Sequence, residues 1–474
     1  MDDKEIKILT CNNIKPPVEG RCGFFVKRKQ RYCKMLPAKG NRYCAEHLSQ
    51  DKQQDENRKR KRIDCPLDPK HTVFEDKLSK HLKKCNATLK TQLHYFSNNI
   101  NLGIPDYIIS EEEKVTLYHT PVEVLQQLIT KVKECYRNIT METVKENHKQ
   151  HPVLDEEMSQ PGYGASVKKH LIQQASLVSL LDDMNVLQNS MAVIEFGAGR
   201  GALSHWIQKA MADQLDSKFF LVDRQHNRNK LDCYHKGDDQ GPNFERLNID
   251  IQHLNLANVL PLTNSELEIV GVGKHLCGGA TDLSLRCLFE NQEKETKEEQ
   301  PSKRIKKGSI ASRIHSILFA LCCYHRCTWS TYVGTKYLSD KGFSSLDFHR
   351  ITKMAGWATC GFERRTTETQ KDDDRVAEEK ISKEHEDRAV EEENSKEHDD
   401  RAVEKKNLKV HAGLGLTSHE QEEIGRMCKR IIDHGRLEYI RSYGYRCELI
   451  KYVDKEITPE NIALCVRRRK TNDS

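Results

Sequence analysis

The 474-residue sequence holds no apolar run of membrane-spanning length, and its N-terminus, MDDKEIKILT, lacks the apolar core of a signal peptide. Together these absences imply a soluble, intracellular chain. They also bear on its 17 cysteines, which in a reducing compartment serve as thiols or metal ligands rather than as a disulfide framework. A balance between acidic and basic residues is lacking at one end only. Residues 1–90 hold 23 Lys and Arg against 12 Asp and Glu, whereas the rest holds 54 against 59. A basic N-terminal segment is an electrostatic footprint for a polyanion such as RNA, or else a solvated basic surface. At 36% hydrophobic the chain can build a core, and its length allows two or three domains.

Two Cys/His constellations open the chain. In RCGFFVKRKQRYCKMLPAKGNRYCAEH, Cys22, Cys33, Cys44 and His47 follow a C-x10-C-x10-C-x2-H spacing. Four N/S ligands suit tetrahedral zinc, and a closed set leaves no coordination position for chemistry. So few apolar residues would hardly fold without such a staple. The basic and aromatic residues between the ligands, Phe24, Phe25, Tyr32 and Tyr43 among them, suit phosphates and bases. The second constellation is CPLDPKHTVFEDKLSKHLKKC, with Cys65, His71, His81 and Cys85 spaced C-x5-H-x9-H-x3-C. FEDKLSKHLKKC reads as an amphipathic helix, which puts His81 and Cys85 on one face, with Cys65 and His71 on the preceding loop. Both sets read as structural zinc sites. Cys11 belongs to neither.

These readings divide the chain into a CCCH finger (18–50), a CHHC finger (62–88), a helical connecting region (89–154) and an α/β domain (155–474). The basic run RKRKR (58–62) fits a nuclear import signal, an RNA contact or a polar linker, which leaves nucleus and cytoplasm both open. Two charged inserts interrupt the α/β domain, at 291–308 and at about 365–408. The second repeats every 13 residues, with Arg375, Arg388 and Arg401 in register. Copies so short and so charged cannot bury a core, so they read as a surface loop.

MAVIEFGAGRGALSHWI (191–207) carries the strongest enzymatic signal. AVIEF reads as a buried strand, and Gly197, Gly199 and Gly201 as a tight turn opening a helix. With Glu195 they make E-x-G-x-G-x-G, the spacing with which S-adenosylmethionine-dependent methyltransferases hold their cofactor. Gly197, Gly199 and Ala202 also fit the dinucleotide pattern G-x-G-x-x-A, which Glu195 and Gly201 disfavour. Asp223, at the end of KFFLVDR, is placed to accept hydrogen bonds from ribose hydroxyls. Asp250, at the next strand end, is either an adenine contact or a turn cap. A fourth strand leads into a loop with Lys274, His275, Cys277 and Asp282, and a fifth, HSILFA, into LCCYHRC (321–327). Adjacent parallel strands thus bring KHLCGGATD and CCYHRC to one edge of the sheet.

In the order and combination of these motifs the chain resembles the eukaryotic tRNA 2′-O-methyltransferases that modify the fourth nucleotide, in the acceptor stem. The likeness spans both fingers, GYGASVKKHLIQQASL (162–177), VIEFGAGRG, VGKHLCGGATDL, LCCYHRCTW, MAGWATCGFE, RIIDHGRLEYIRSYGY and ITPENIALCV, a candidate final strand. The resemblance implies a Rossmann-like S-adenosylmethionine-dependent domain, a ribose 2′-hydroxyl as methyl acceptor, tRNA as partner, and fingers that dock it. On that reading Lys274 stabilises the developing oxyanion, and His275, His325 or Asp282 accepts the proton. Methylation of a base or a protein, or an adaptor role without catalysis, are the alternatives. LCCYHRC is expected to be a strand end turning into the pocket, with Cys322 and Cys323 on opposite sides of the sheet; a metal shared with His275 and Cys277 is the alternative.

Overall fold

The computed structural model describes residues 20–26, 31–33, 35–37, 42–44, 47, 62–83, 85, 88, 91–139, 144–225, 230–232, 242–290, 309–359 and 414–469. They fall into two units, one up to Thr88 and one from residue 91 onward. The charged inserts, the basic run as far as residue 61, Cys11 and the His71 side chain lie outside the described residues.

The first unit has little apolar sequence, and its folds are correspondingly small. Strands β1 (Phe25–Val26) and β2 (Arg31–Tyr32) pair antiparallel. The buried core beside them is Cys22, Cys33 and Cys44, flanked by half-buried Phe24, Val26 and Tyr43. Thiols thus occupy the place where a larger domain would put leucines. Next, β3 (Arg62–Cys65) pairs antiparallel with β4 (Asp68–Phe74), and the short helix α1 (Leu78–Leu82) follows. His71 therefore sits on a strand, not on a loop.

The second unit is built on one mixed sheet. Its strands are β5 (Lys145–Glu146), β6 (Met191–Phe196), β7 (Lys218–Val222), β8 (Asn243–Leu247), β9 (Glu268–Cys277), β10 (Ile314–Cys322), β11 (Arg446–Lys451) and β12 (Ile462–Arg467). Their spatial order is β5-β11-β12-β10-β9-β6-β7-β8. From β8 to β10 all pairs are parallel, while β12 runs antiparallel to both β10 and β11. ITPENIALCV does supply the last strand, wedged inside the sheet between β10 and β11.

The parallel strands read as continuous apolar runs because both faces are covered. All six residues of β6 are buried. Ala192, Ile194 and Phe196 enter one core cluster, and Met191 and Val193 enter the other. Helix α2 (Val122–Asn138) packs on the first face with Leu125, Leu128, Ile129 and Val132, a helical spacing. Helix α3 (Ala165–Asp183) covers the second face with Leu171, Ala175, Val178 and Leu181. Three further helices matter below: α4 (Ala202–Ala210), α5 (Gly279–Phe289) and α6 (Ser345–Ala355). Last comes α7 (Ser418–Arg441), the longest described, which packs against α2 and α6. No helix among the described residues is long and apolar enough to cross a membrane.

One expectation changes. The stretch 89–154 does not stand apart as a connector. Helix α2 is embedded in the main core, and β5 joins the sheet edge beside β11. The Asn101 amide donates to the carbonyls of Ile251 and Leu254 at 2.6 and 2.8 Å. The helical period of the stretch reflects burial against this sheet, not the demands of an arm.

Candidate active site and metal centres

In the first unit, the Sγ atoms of Cys22, Cys33 and Cys44 and a ring nitrogen of His47 all lie within 4.8 Å of one another. His47 Nδ1 is 3.3 Å from Cys44 Sγ and 3.6 Å from Cys22 Sγ, and Phe24 stacks on the His47 ring at 4.1 Å. Cys65, His81 and Cys85 converge likewise, with Sγ atoms 3.8 Å apart and His81 Nε2 3.2 Å from Cys65 Sγ. The turn from His81 to Cys85 is closed by the Cys85 N–H on the His81 carbonyl, at 2.7 Å. Soft ligands at these separations fit tetrahedral zinc.

In the second unit, the glycine turn follows β6. Gly197, Gly199 and Gly201 have φ of +64°, +52° and +81°, a region hostile to side chains. A Cβ on Gly197 would press on the His275 carbonyl at 3.3 Å, and one on Gly201 would meet Leu221 at 2.7 Å. At Gly199 it would meet nothing within 4 Å, so the backbone there faces open space. The Gly199 N–H donates to Asp223 Oδ2 at 2.7 Å, and its carbonyl accepts from Arg246 at 2.8 Å. Arg246 is in turn held by Asp232, at 2.6 Å. Arg246 and Asp232 brace the turn, and no local sequence signal marks either of them.

Two residues expected at the cofactor also support the local backbone. Glu195 is buried, and its carboxylate accepts from the Ser204 N–H at 3.1 Å, capping the first turn of α4. Burial raises its pKa to about 7. Asp250 accepts from the Gln252 N–H at 3.1 Å and lies 3.7 Å from Arg224. It thus caps the turn that follows β8.

Lys274 and His275 lie on β9 itself, which extends to Cys277, and not on a loop beyond it. Lys274 is buried, and its Nζ lies 3.0 Å from Nδ1 of His170 on α3. His275 is exposed, with its ring centre 6.3 Å from that of His170 in an edge-on arrangement. Sequence reasoning misses His170 as a site residue. It stands 104 residues from Lys274, and only the packing of α3 on the sheet brings the two together.

The residues of LCCYHRC separate into distinct roles. Cys323 adopts φ of +52°, and its Sγ lies 3.4 Å from that of Cys277. Cys322 and Cys323 therefore converge rather than facing opposite sides, because the left-handed residue breaks strand alternation. Hydrogen bonding to Cys277 and burial push the Cys323 thiol up to about 12. Tyr324 is buried, and its hydroxyl donates to Asp433 at 2.9 Å. His325 is half-buried on the turn after β10, where its carbonyl accepts from Lys353 at 3.2 Å. Cys327 lies 3.3 Å from Arg436.

Asp282 is not placed for proton transfer. It is fully buried, and Arg436 holds both carboxylate oxygens, at 2.8 and 3.1 Å. Arg436 also contacts Asp433, which Arg430 approaches at 2.7 Å. This network fastens α7 to α5 and to the turn after β10. A carboxylate held bidentate inside it has no solvent path to a substrate hydroxyl.

Comparison with known proteins agrees with this layout. Residues 172–467 match the family model described as Methyltransferase TRM13. Residues 20–48 match a CCCH zinc finger in TRM13 protein, and residues 62–86 a U11-48K-like CHHC zinc finger. The chain is 37% identical to the mouse tRNA:m(4)X modification enzyme TRM13 homolog, over 97% of each chain. It is likewise 37% identical to the human homolog, over 94% of each, and 28% identical to the Saccharomyces cerevisiae enzyme, over 96% of this chain and 97% of that one. No solved structure matches. With its methyltransferase domain and both fingers matched in order, the chain belongs to the TRM13 methyltransferase family.

Proposed function

We propose that the protein transfers a methyl group from S-adenosylmethionine to the ribose 2′-hydroxyl of the fourth nucleotide in the tRNA acceptor stem, with its fingers helping to dock the RNA. The observation that carries this reading is where the side chains gather. Chain order runs β6, β7, β8 to one side and then returns to β9 on the other, so the strand order reverses between the parallel neighbours β6 and β9. In open α/β sheets ligands bind at such a switch point, beyond the carboxyl ends of the strands. Here that place holds the glycine turn, Asp223, Lys274, His170 and His275. The strand order supports a Rossmann-like domain, and the relatives' names support tRNA as substrate.

The open space beside Gly199 and the carboxylate at the end of β7 fit S-adenosylmethionine, which supplies an electrophilic methyl group when bound. Gly197, Gly199 and Gly201 allow close backbone approach, and Asp223 retains lone pairs for ribose hydroxyls. With Lys274 as an ammonium, its Nζ, 3.0 Å from His170 Nδ1, donates to that nitrogen, and the neutral His170 ring then carries its proton on Nε2 as a second donor. Both the ammonium and this N–H dipole stabilise negative charge developing on the attacking oxygen. Exposed His275 takes its proton, with His325 on the neighbouring strand end as second choice.

The test is transfer of labelled methyl to tRNA, followed by digestion to nucleosides. Wild type should yield a 2′-O-methyl nucleoside at the fourth position. Lys274→Met should lower kcat by about 10²–10³, as loss of one oxyanion donor does, with tRNA binding retained. A methylated base or protein, or full activity in both Lys274→Met and His275→Ala, would overturn the proposal.

A further inference from the structure

We propose that Cys277, Cys322 and Cys323 form a third zinc centre, at the C-terminal edge of the sheet and distinct from the two fingers. Their three Sγ atoms lie within 4.8 Å of one another. The Cys277–Cys323 separation of 3.4 Å belongs with the 3.8 and 3.9 Å between thiols in the fingers. It is far beyond a disulfide bond, which is about 2.0 Å.

Strand geometry alone would not assemble this trio. The register sets Cys322 beside Cys277 on adjacent parallel strands. Residue 323 should then point to the other face. Its left-handed backbone returns the third thiol to its neighbours instead. Among the described residues the other non-glycine residues with positive φ are Asn99, Asp106 and Asn185, types that tolerate the conformation. A cysteine gains nothing from it locally, so the geometry points to the thiol's destination.

Three thiolates without a carboxylate select a thiophilic cation over a hard one. Zinc takes a fourth ligand, which water supplies where a site has only three protein ligands, and the three cysteines are each half-buried. The ion would tie the end of β9 to the end of β10. Those ends carry His275 and His325, so the centre would fix the spacing of the two strand ends that flank the methyl-transfer site. Its existence does not depend on the methyl acceptor, because metal content reads it directly.

The test counts zinc in the full-length protein by elemental mass spectrometry. A Cys277→Ser/Cys323→Ser variant should hold one zinc fewer per chain than wild type, and a Cys22→Ser variant should lose a different one, so that combining them removes two. Cobalt exchanged into the Cys22→Ser variant should still show thiolate charge-transfer absorption that the triple variant shows at lower intensity. Should the double variant fail to fold, alkylation of wild type decides the matter. Iodoacetamide should spare Cys277, Cys322 and Cys323 in the zinc-loaded protein and label them after chelation. Equal zinc in wild type and folded double variant, labelling indifferent to zinc, or a Cys277–Cys323 disulfide in freshly reduced protein would each overturn the proposal.

Discussion

Glu195 shows how a residue chosen by motif acts through physics the motif does not state. The motif puts its acidic side chain by the cofactor, and in the fold the same side chain caps α4 from inside the core. Its folded-state pKa of about 7 stands above the ordinary 4.5. Between those values the folded protein keeps a proton that the unfolded chain has released. Stability therefore falls as pH rises from 4.5 towards 7. The loss reaches about 3 kcal/mol, because each tenfold change in proton affinity is worth about 1.4 kcal/mol. In Glu195→Gln the amide oxygen still accepts from Ser204, and the titration is gone. Urea midpoints at pH 5 and pH 7.5 should converge in the variant relative to wild type, and an unchanged pH slope would refute the account. Asp282 offers a second discrimination. Removing one partner of a buried ion pair costs about 3–5 kcal/mol, so Asp282→Ala should unfold at markedly lower urea concentration. A general base would instead give a stable, inactive variant. The sequence could show that Glu195 and Asp282 were acidic and near the site. It could not show their partners, since Arg436 lies 154 positions from Asp282.

At the scale of elements, the parallel strands were legible because burial on both faces makes them unbroken apolar runs. Their ends were not. KHLC looks like loop chemistry, but the pairing of Leu276 with Leu321 and Cys277 with Cys322 carries β9 through it. Polar residues at a strand's end still complete the ladder when a neighbour extends as far. Helix α7 is legible in the sequence only as a family segment, although it closes one face of the core. Its Gly425 shows why composition misleads there. Helix propensity favours alanine over glycine by about 1 kcal/mol. A Cβ at Gly425, however, would stand 2.3 Å from the Ala358 backbone nitrogen and 2.9 Å from the Trp357 carbonyl carbon. Backbone cannot step aside as a side chain can, and overpacking costs about 1–3 kcal/mol. Packing should win, so Gly425→Ala is expected to lower the thermal midpoint. A rise in that midpoint would mean that α7 rides further from the turn at Gly356–Thr359 than the distances above allow.

At the scale of the whole molecule, charge and chemistry are divided between the two units. The basic excess lies in the first 90 residues with the finger ligands, and the glycine turn, Lys274 and His275 lie in the second unit. That division was readable from composition, because charge imbalance and ligand spacing are local. It predicts that RNA affinity and cofactor affinity can be separated by mutation. The core of the CCCH finger is three thiols and little else, so replacing one should unfold that finger without disturbing the hydrophobic clusters of the larger unit. Cys22→Ser and Cys65→Ser are each expected to weaken tRNA binding while S-adenosylmethionine affinity stays within about twofold. The mechanism also fixes the salt dependence. Each lost phosphate contact lowers the slope of log K against log salt by about 0.7–0.9, so the variants should show shallower slopes as well as weaker binding. Weaker binding with an unchanged slope would assign the fingers to base stacking by Phe24, Phe25, Tyr32 and Tyr43. If neither affinity nor slope changes, the fingers are not the RNA-docking surface, and the basic segment owes its charge to solvation alone.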